Sequence, residues 1–470
     1  MMNEETIIAL ATANGTGAIA ILRLSGPNAI AMVDAQFKPK NKNKVLKNQK
    51  THTLHLGEIV DEHRVLDEVL VTVFKNPNSY TGEDVIEISC HGSSFIQQEI
   101  LQLFLQKGCR MADNGEFTMR AFLNGKMDLS QAEAVADVIA SNSAASHQMA
   151  IQQMRGGITN ELKELRGKLL DFAALIELEL DFSGEDVEFA DRTKFKELVA
   201  KITFVLNRLI DSFAFGNAMK NGIPVAIIGE PNVGKSTLLN ALLNEEKAIV
   251  SDIAGTTRDA IEDEIAIDGV LFRFIDTAGI RETQDIVETI GIQKAYEKAD
   301  KAQLVIFLLD SEKFKVESST FKHEIEKITE RFAHKRVLIV ANKIDKLSQG
   351  EINTLTSNSA LKIQNSKLIL LSAKQQIGVE DLKNELTSLV NIGALSNNET
   401  IVTNSRHFEA LSNALQAITS VQQGIDIEIS TDLFAIDIRE CLRNLGAITG
   451  DYDVDKDILG HIFSNFCIGK

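Results

Sequence analysis

The first chemical signal in the chain is Gly229-Glu230-Pro231-Asn232-Val233-Gly234-Lys235-Ser236. It follows an apolar run, Val225–Ile228, and opens a helical pattern from Thr237 to Leu243. This is a G-x-x-x-x-G-K-S loop in the strand-to-helix setting such a loop requires. Its glycines let the main chain wrap a phosphate chain with N–H groups turned inward. Lys235 sets a cation against β- and γ-phosphates, and the Ser236 hydroxyl can ligate Mg²⁺. The helix start, with Thr237 in its first turn, adds partial positive charge. A plain Gly-turn before a helix can match the same pattern by accident, so the companions decide the matter.

Asp276-Thr277-Ala278-Gly279 ends a later strand run. The Asp can hold Mg²⁺ through water, and the Gly279 N–H can reach a γ-phosphate. Asn342-Lys343-Ile344-Asp345 ends another. Asp345 can accept hydrogen bonds from guanine N1–H and the exocyclic amine; adenine has neither there, and a buried carboxylate would be left unpaired. Ser372-Ala373-Lys374 supplies a further backbone contact to the base. Each motif sits at the carboxyl end of a predicted strand, where open α/β sheets bind ligands. The expected nucleotide is GTP, held by Asn232 to Thr237, the segment Ser251, Asp252, Ile253, Ala254, Gly255, Thr256 and Thr257, Asp276 to Gly279, and the two base motifs.

Together these motifs resemble the translation-factor class of small GTPases. In Ras-like enzymes a Gln after Asp-x-x-Gly orients the attacking water; here the position is Ile280, which cannot polarise water. The nearby acids are Glu282, Asp285 and Glu288. The transition-state charge also needs a cation. Arg258 or Arg281 could serve as an arginine finger. Alternatively, the carbonyl- and hydroxyl-rich segment Ser251–Asp259, with the Asn232 side chain, could cage a monovalent ion; an ordinary mobile loop is the bland alternative.

The elements that position these residues follow from hydrophobic period. Residues 1–118 read as mixed α/β: Ala18–Leu22, Val69–Phe74 and Val85–Ile88 as strands, Ser94–Gln106 as a helix. The lysines 38, 40, 42, 44, 47 and 50 between them read as a solvated loop or an RNA phosphate contact. Residues 119–215 turn helical: Asp128–Ala140, Ile158–Leu180 and Phe195–Phe213. In 216–388, six apolar runs (Val225–Ile228, Ile261–Ile267, Leu271–Ile275, Leu304–Leu309, Val337–Val340, Leu368–Leu371) alternate with helical patterns, implying a mostly parallel sheet covered on both faces. Residues 389–470 are helical again, so the GTPase region is expected as an insertion into one discontinuous helical domain.

Composition bounds the partners. With 49 basic and 66 acidic residues among 470, the net charge is −17, which argues against a broad nucleic-acid-coating surface. No apolar run is long enough to span a bilayer, and Glu4 and Glu5 stand where a signal peptide carries positive charge; no membrane role and a cytoplasmic location are expected. The cysteines 90, 109, 441 and 467 have neither zinc-site nor disulfide spacing. Cys467 stands fourth from the end, but Gly469 and Lys470 do not make a prenylation box. It reads as a buried structural Cys or a tail with a chemical role.

Beyond the GTPase motifs, the chain resembles the tRNA-modification GTPase family MnmE, also called TrmE. The resemblance rests on Gly17-x-x-x-Ile21-Leu22-Arg23-x-Ser25-Gly26, Ser79–Glu87, Gly115-Glu116-Phe117-x-x-Arg120–Lys126-x-Asp128-Leu129, Gln131–Ala134 and the ending Phe466-Cys467-Ile468-Gly469-Lys470. It implies an N-terminal α/β folate-binding-like domain that also dimerises, a discontinuous helical domain, and an inserted Ras-like P-loop GTPase domain. It further implies K⁺ bound by Asn232, Ser251, Ile253 and Thr256 in place of an arginine finger, Mg²⁺ on Ser236 and Thr257, and Glu288 orienting the water. Ser251 replaces the Thr of many relatives but keeps hydroxyl and carbonyl. Arg23, Glu87, Lys126 and Lys470 take the positions for (6S)-5-formyl-tetrahydrofolate or a related one-carbon tetrahydrofolate. The implied work is wobble-uridine carbon-5 modification of tRNA, by a homodimer in a heterotetramer with the FAD-dependent protein MnmG. A GTP switch in ribosome assembly is the alternative; it wants an appended basic RNA-binding domain, which the helical flanks and net charge of −17 disfavour. A folate enzyme with a regulatory GTPase domain is a third reading.

Overall fold

The computed structural model describes residues 5–41, 44–181, 192–245, 263–275, 296–297, 299–315, 318–357, 367–389, 400–427, 431–451, 462–463, 466 and 469. The chain forms two compact units, one of Met1–Ile139, Gln153–Leu206 and Glu409–Lys470, the other of Ala140–Gln152 and Asn207–Phe408.

The first unit opens with β1 (Ile7–Leu10), β2 (Ile19–Ser25), α1 (Ala29–Gln36), β3 (Phe37–Pro39), β4 (Thr53–Asp61), β5 (Arg64–Phe74), β6 (Val85–His91), α2 (Ser94–Gln106), β7 (Arg110–Met111) and α3 (Glu116–Leu123). The strands make a seven-stranded sheet in the order β3-β4-β5-β6-β2-β1-β7. Its pairs are antiparallel apart from β1 with β7. Period-two burial explains β5: Val69, Val71 and Val73 face the core while Leu70 is exposed. Helical period explains α2, whose buried Gln97, Ile100, Leu103 and Phe104 lie on one face. Helices α1 and α2 cover the same core as these valines.

The expected strand Ala18–Leu22 begins one residue before β2, the other two fall within β5 and β6, and the expected helix Ser94–Gln106 coincides with α2. Strand β4 was hidden because its alternation is inverted. His55 and Gly57 face inward, while Leu54 and Leu56 are exposed. Gly57 is required there: a Cβ would come within 2.5 Å of the Phe37 ring, which lies across it from β3. The lysine-rich stretch is therefore more than a loop. Lys38 belongs to β3, Lys40 pairs with Glu68, and Lys47 lies in a short 3-10 turn anchored by buried Leu46.

A buried ion cluster fastens α3 to this sheet. Arg120, 1% exposed, contacts Glu116 at 2.8 Å, Glu83 at 3.0 Å and the Glu5 carbonyl at 3.0 Å. Glu83 also accepts from Ser25 Oγ at 2.7 Å. Burial alone would raise the Glu116 carboxyl, but hydrogen bonds from Arg110, the Asp113 amide and Arg120 outweigh it and hold it below the ordinary value. Arg120→Met leaves two carboxylates buried without their shared cation, so a loss of about 3–5 kcal/mol is expected, read as a lower Tm. The sign with pH is fixed. A carboxyl held low stabilises the fold above its unfolded pKa of about 4.3 and loses that contribution as pH falls. The gap between wild type and variant should therefore narrow in acid.

Helices α4 (Leu129–Ala140), α5 (Ala144–Met154), α6 (Gly157–Asp181) and α7 (Arg192–Asn221) follow, and two more, Ser405–Asp426 and Thr431–Thr449, come near the end of the chain. Within the first unit, α6 packs along Thr431–Thr449, Lys196 pairs with Asp426 at 3.6 Å and Arg166 with Asp451 at 3.8 Å. The two helical halves thus pack as one domain interrupted by an insertion.

The second unit holds β8 (Ile223–Ile228), α8 (Lys235–Glu245), β9 (Asp263–Ile267), β10 (Val270–Phe274), β11 (Leu304–Asp310), β12 (Arg336–Asn342) and β13 (Lys367–Leu370). The sheet order is β13-β12-β11-β8-β10-β9, parallel except for the antiparallel pair of β9 with β10. Apolar cores fill both faces. Helix α5 joins this unit: Ala145 and Met149 pack with Phe272 and Ile265, and the Ala145 N–H donates to the Gly269 carbonyl at 3.1 Å. Among the described residues no helix is long and apolar enough to cross a membrane.

Candidate nucleotide and folate sites

The phosphate loop runs from the end of β8 into α8. Its glycines are dictated by close approaches. At Gly229, φ is +154° and a Cβ would stand 2.2 Å from the Leu308 carbonyl oxygen; at Gly234, φ is +99° and a Cβ would meet Asn342 Nδ2 at 2.4 Å. Lys235 begins the helix, and its ammonium donates to the carbonyls of Gly229 and Glu230, both at 2.8 Å. Burial lowers the pKa of this ammonium, with Glu230 partly restoring it. Ser236 is half-buried and Thr237 exposed in the first turn of α8, where a helix start leaves main-chain N–H groups without intrahelical partners, a setting that suits an anion.

The base motifs converge on this loop. Asn342 is 3% exposed. Its Nδ2 donates to the Val233 carbonyl at 2.8 Å, and its Oδ1 accepts the Ala373 N–H at 3.0 Å. One side-chain amide thus ties the phosphate loop to the segment Ser372–Lys374. Lys343 Nζ donates to the Asn232 carbonyl at 2.8 Å and pairs with Asp310 Oδ2 at 2.6 Å. Asp345, in a 3-10 turn, is itself exposed; its Oδ1 accepts the Ser372 hydroxyl at 2.5 Å, which orients the carboxylate. Asn232 and Lys343 both sit in the left-handed region, at φ +63° and +68°.

In this way Asn232, Val233, Gly234, Lys235, Ser236, Thr237, Asn342, Lys343, Asp345, Ser372, Ala373 and Lys374 gather at the carboxyl ends of β8, β12 and β13. Ser251 to Thr257, Asp276 to Gly279 and Glu288 lie outside the described residues, as do Cys467 and Lys470. Sequence reasoning missed Asp310. The available signal was a carboxylate closing an apolar strand on the ligand side of the sheet.

In the first unit, Arg23 and Glu87 are register partners on β2 and β6, joined at 2.8 Å. The Arg23 guanidinium lies over the rings of Tyr80, at 5.4 Å, and Phe117, at 5.7 Å; both stand in the resemblance motifs, but neither was expected as a site residue. Its Nη1 reaches the Gly469 carbonyl at 3.5 Å. That close passage needs glycine: φ is +98° and a Cβ would stand 2.1 Å from the Leu10 carbonyl. Lys126 is not paired with Arg23 or Glu87; its Nζ donates to the Pro77 carbonyl at 2.9 Å, in the loop that carries Tyr80. The other cysteines are unsuited to nucleophilic work: burial pushes Cys90 and Cys109 up to about 11 and Cys441 to about 12.

Comparison with known proteins places the chain in a family. The family described as MnmE helical domain matches residues 129–467, and that described as GTP-binding protein TrmE N-terminus matches residues 6–126. The chain is 64% identical over 470 residues to a tRNA modification GTPase MnmE of Flavobacterium johnsoniae, spanning all of both proteins. It is 59% identical over 470 residues to that of Flavobacterium psychrophilum, again at full coverage of both. Among solved structures, the FeoB G-domain of Methanococcus jannaschii is 23% identical over 36% of this chain and 97% of its own, with a TM-score of 0.23.

Proposed function

This chain belongs to the MnmE family of tRNA-modification GTPases, and on that premise we propose that it is the K⁺-activated, GTP-hydrolysing subunit of a complex that modifies carbon 5 of the wobble uridine in tRNA. The proposal includes a homodimer, a heterotetramer with a FAD-dependent MnmG-type flavoprotein, a folate one-carbon donor and a cytoplasmic setting. Its support in the molecule is the single amide of Asn342, which draws phosphate loop and base motifs into one site.

The described donors suit the groups this reading requires. Ser236 offers a hydroxyl at a helix start, a hard oxygen for Mg²⁺. Asn232 offers an amide oxygen for K⁺, with Ser251, Ile253 and Thr256 as the proposed companions and Thr257 completing the Mg²⁺ pair. When bound, these ions supply positive charge against the charge that develops on the γ-phosphoryl group. Lys235 leaves its two carbonyls to bind the β- and γ-phosphates, its partial burial strengthening that attraction. Glu288 holds the water. Arg23 and Lys126, with the terminal Lys470, suit an anionic glutamate tail, and Glu87 suits pterin donors. Cys467, beside that site in sequence, is assigned no step.

The GTPase region interrupts the helical domain, and α7 is continuous across residues 206 and 207, where the two units divide. We take this helix as the route by which nucleotide state is transmitted. The deciding experiment is nucleoside mass spectrometry of tRNA from a deletion strain. Loss of the carbon-5 substituent, restored by the wild-type gene and not by Lys235→Ala, is expected. Intact wobble uridine modification with altered ribosome profiles would replace this reading with the ribosome-assembly one.

A further inference from the structure

We propose that Asp310 is a positioning residue for guanine-nucleotide binding: through Lys343 it fixes the Asn232 carbonyl, so that the base-recognition segment and the phosphate loop move as one. The inference rests on the GTP site described above, to which nothing else assigns Asp310.

Asp310 is the last residue of β11 and the register partner of Asn342 on β12. Its carboxylate is fully engaged: Oδ1 accepts the Glu312 N–H at 3.0 Å and Oδ2 holds Lys343 Nζ at 2.6 Å. Both side chains are largely covered, 13% exposed for Asp310 and 26% for Lys343. In such a place a charge-assisted hydrogen bond orients its partner far better than a surface ion pair does.

The consequence falls on adjacent carbonyls. Asn342 seizes that of Val233 and Lys343 that of Asn232. Asn342 is neutral and already braced by Ala373. Lys343 carries a charge that could instead turn to water, and its main chain is in the costly left-handed region. A counter-charge is what keeps it aimed. The neighbouring acids are occupied elsewhere, Glu230 with Lys313 and Glu312 with Lys346, which leaves this task to Asp310. Removing its charge should free Lys343, release the Asn232 carbonyl and loosen the loop that holds the phosphates.

The test compares full-length wild type, Asp310→Asn, Asp310→Glu, Lys343→Met and the Asp310→Asn/Lys343→Met double variant. Release of fluorescent mant-GDP is followed by stopped flow, with steady-state GTP hydrolysis alongside. Asp310→Asn should release GDP about tenfold faster, the size of one charge-assisted hydrogen bond, and raise KM for GTP by more than it lowers kcat. Asp310→Glu should recover part of the loss. Lys343→Met should show a similar or larger loss, and adding Asp310→Asn to it should cost nothing more, since the carboxylate acts only through the lysine. Wild-type release from Asp310→Asn, or additive losses in the double variant, would overturn the proposal while leaving the GTP site intact. If Asp310→Asn is too unstable to purify, the Asp310→Glu/Lys343→Met pair carries the same additivity test. A wild-type chain that does not retain mant-GDP would instead overturn the GTP reading itself.

Discussion

Asp345→Asn is expected to lower kcat/KM for GTP by on the order of 10⁴ and to make XTP the better substrate. The carboxylate accepts from guanine N1–H and from the 2-amino group. An Asn amide turned toward the base presents a donor to that amine and loses at least one bond. Xanthine carries a carbonyl at the same carbon, which the new N–H₂ can serve. The structure makes the test clean. Asp345 is exposed in a short turn, and Ser372 Oγ holds its Oδ1 at 2.5 Å, a contact that an Asn oxygen can keep. Its replacement should hardly move Tm, so the change would report recognition rather than folding. Hydrolysis rates with GTP and XTP are the measurement; unaltered preference for GTP would remove Asp345 from base recognition.

Exchanging KCl for NaCl at equal ionic strength is expected to slow GTP hydrolysis by at least about 10², because the ion is proposed to do what an arginine finger does elsewhere for roughly 10³–10⁵ in rate. The described part of the arrangement is Asn232, exposed in the phosphate loop at φ +63°. Asn tolerates that conformation better than most residues, and glycine tolerates it fully. Asn232→Gly therefore removes the amide ligand while sparing the backbone. That variant should hydrolyse slowly and equally in both salts. Glu288→Ala should lose turnover while keeping nearly full GTP affinity, in either salt. Equal wild-type rates in KCl and NaCl would end the potassium account, and a large loss of GTP binding in Glu288→Ala would make that residue structural.

Local order left a clear record in the residue types. The loop Gly229–Ser236 announced itself because phosphate wrapping demands glycines, a lysine and a hydroxyl at fixed separations. Strands β8, β11 and β12 were visible as short apolar runs because both faces of the sheet are covered. Helix α2 was visible because it buries one face against a sheet.

Strand β4 was invisible for the opposite reason. Its leucines are exposed, and its inward Gly57 exists to make room for Phe37, a residue twenty positions away in the chain. The pairing of Arg23 with Glu87 depends on the register of β2 with β6. The approach of Gly469 to Arg23 depends on the tail crossing Leu10. Asp310 became legible only once β11 and β12 were laid side by side, with Asp310 opposite Asn342. The amino-acid sequence by itself marked the guanine-nucleotide motifs and those strands and helices whose apolar period is regular, such as β8, β11, β12 and α2, since those properties are written in neighbouring residues. Only the tertiary structure decided which distant side chains meet and which charges are buried together, because register and burial are settled by the packing of a whole core and leave no mark at any one position.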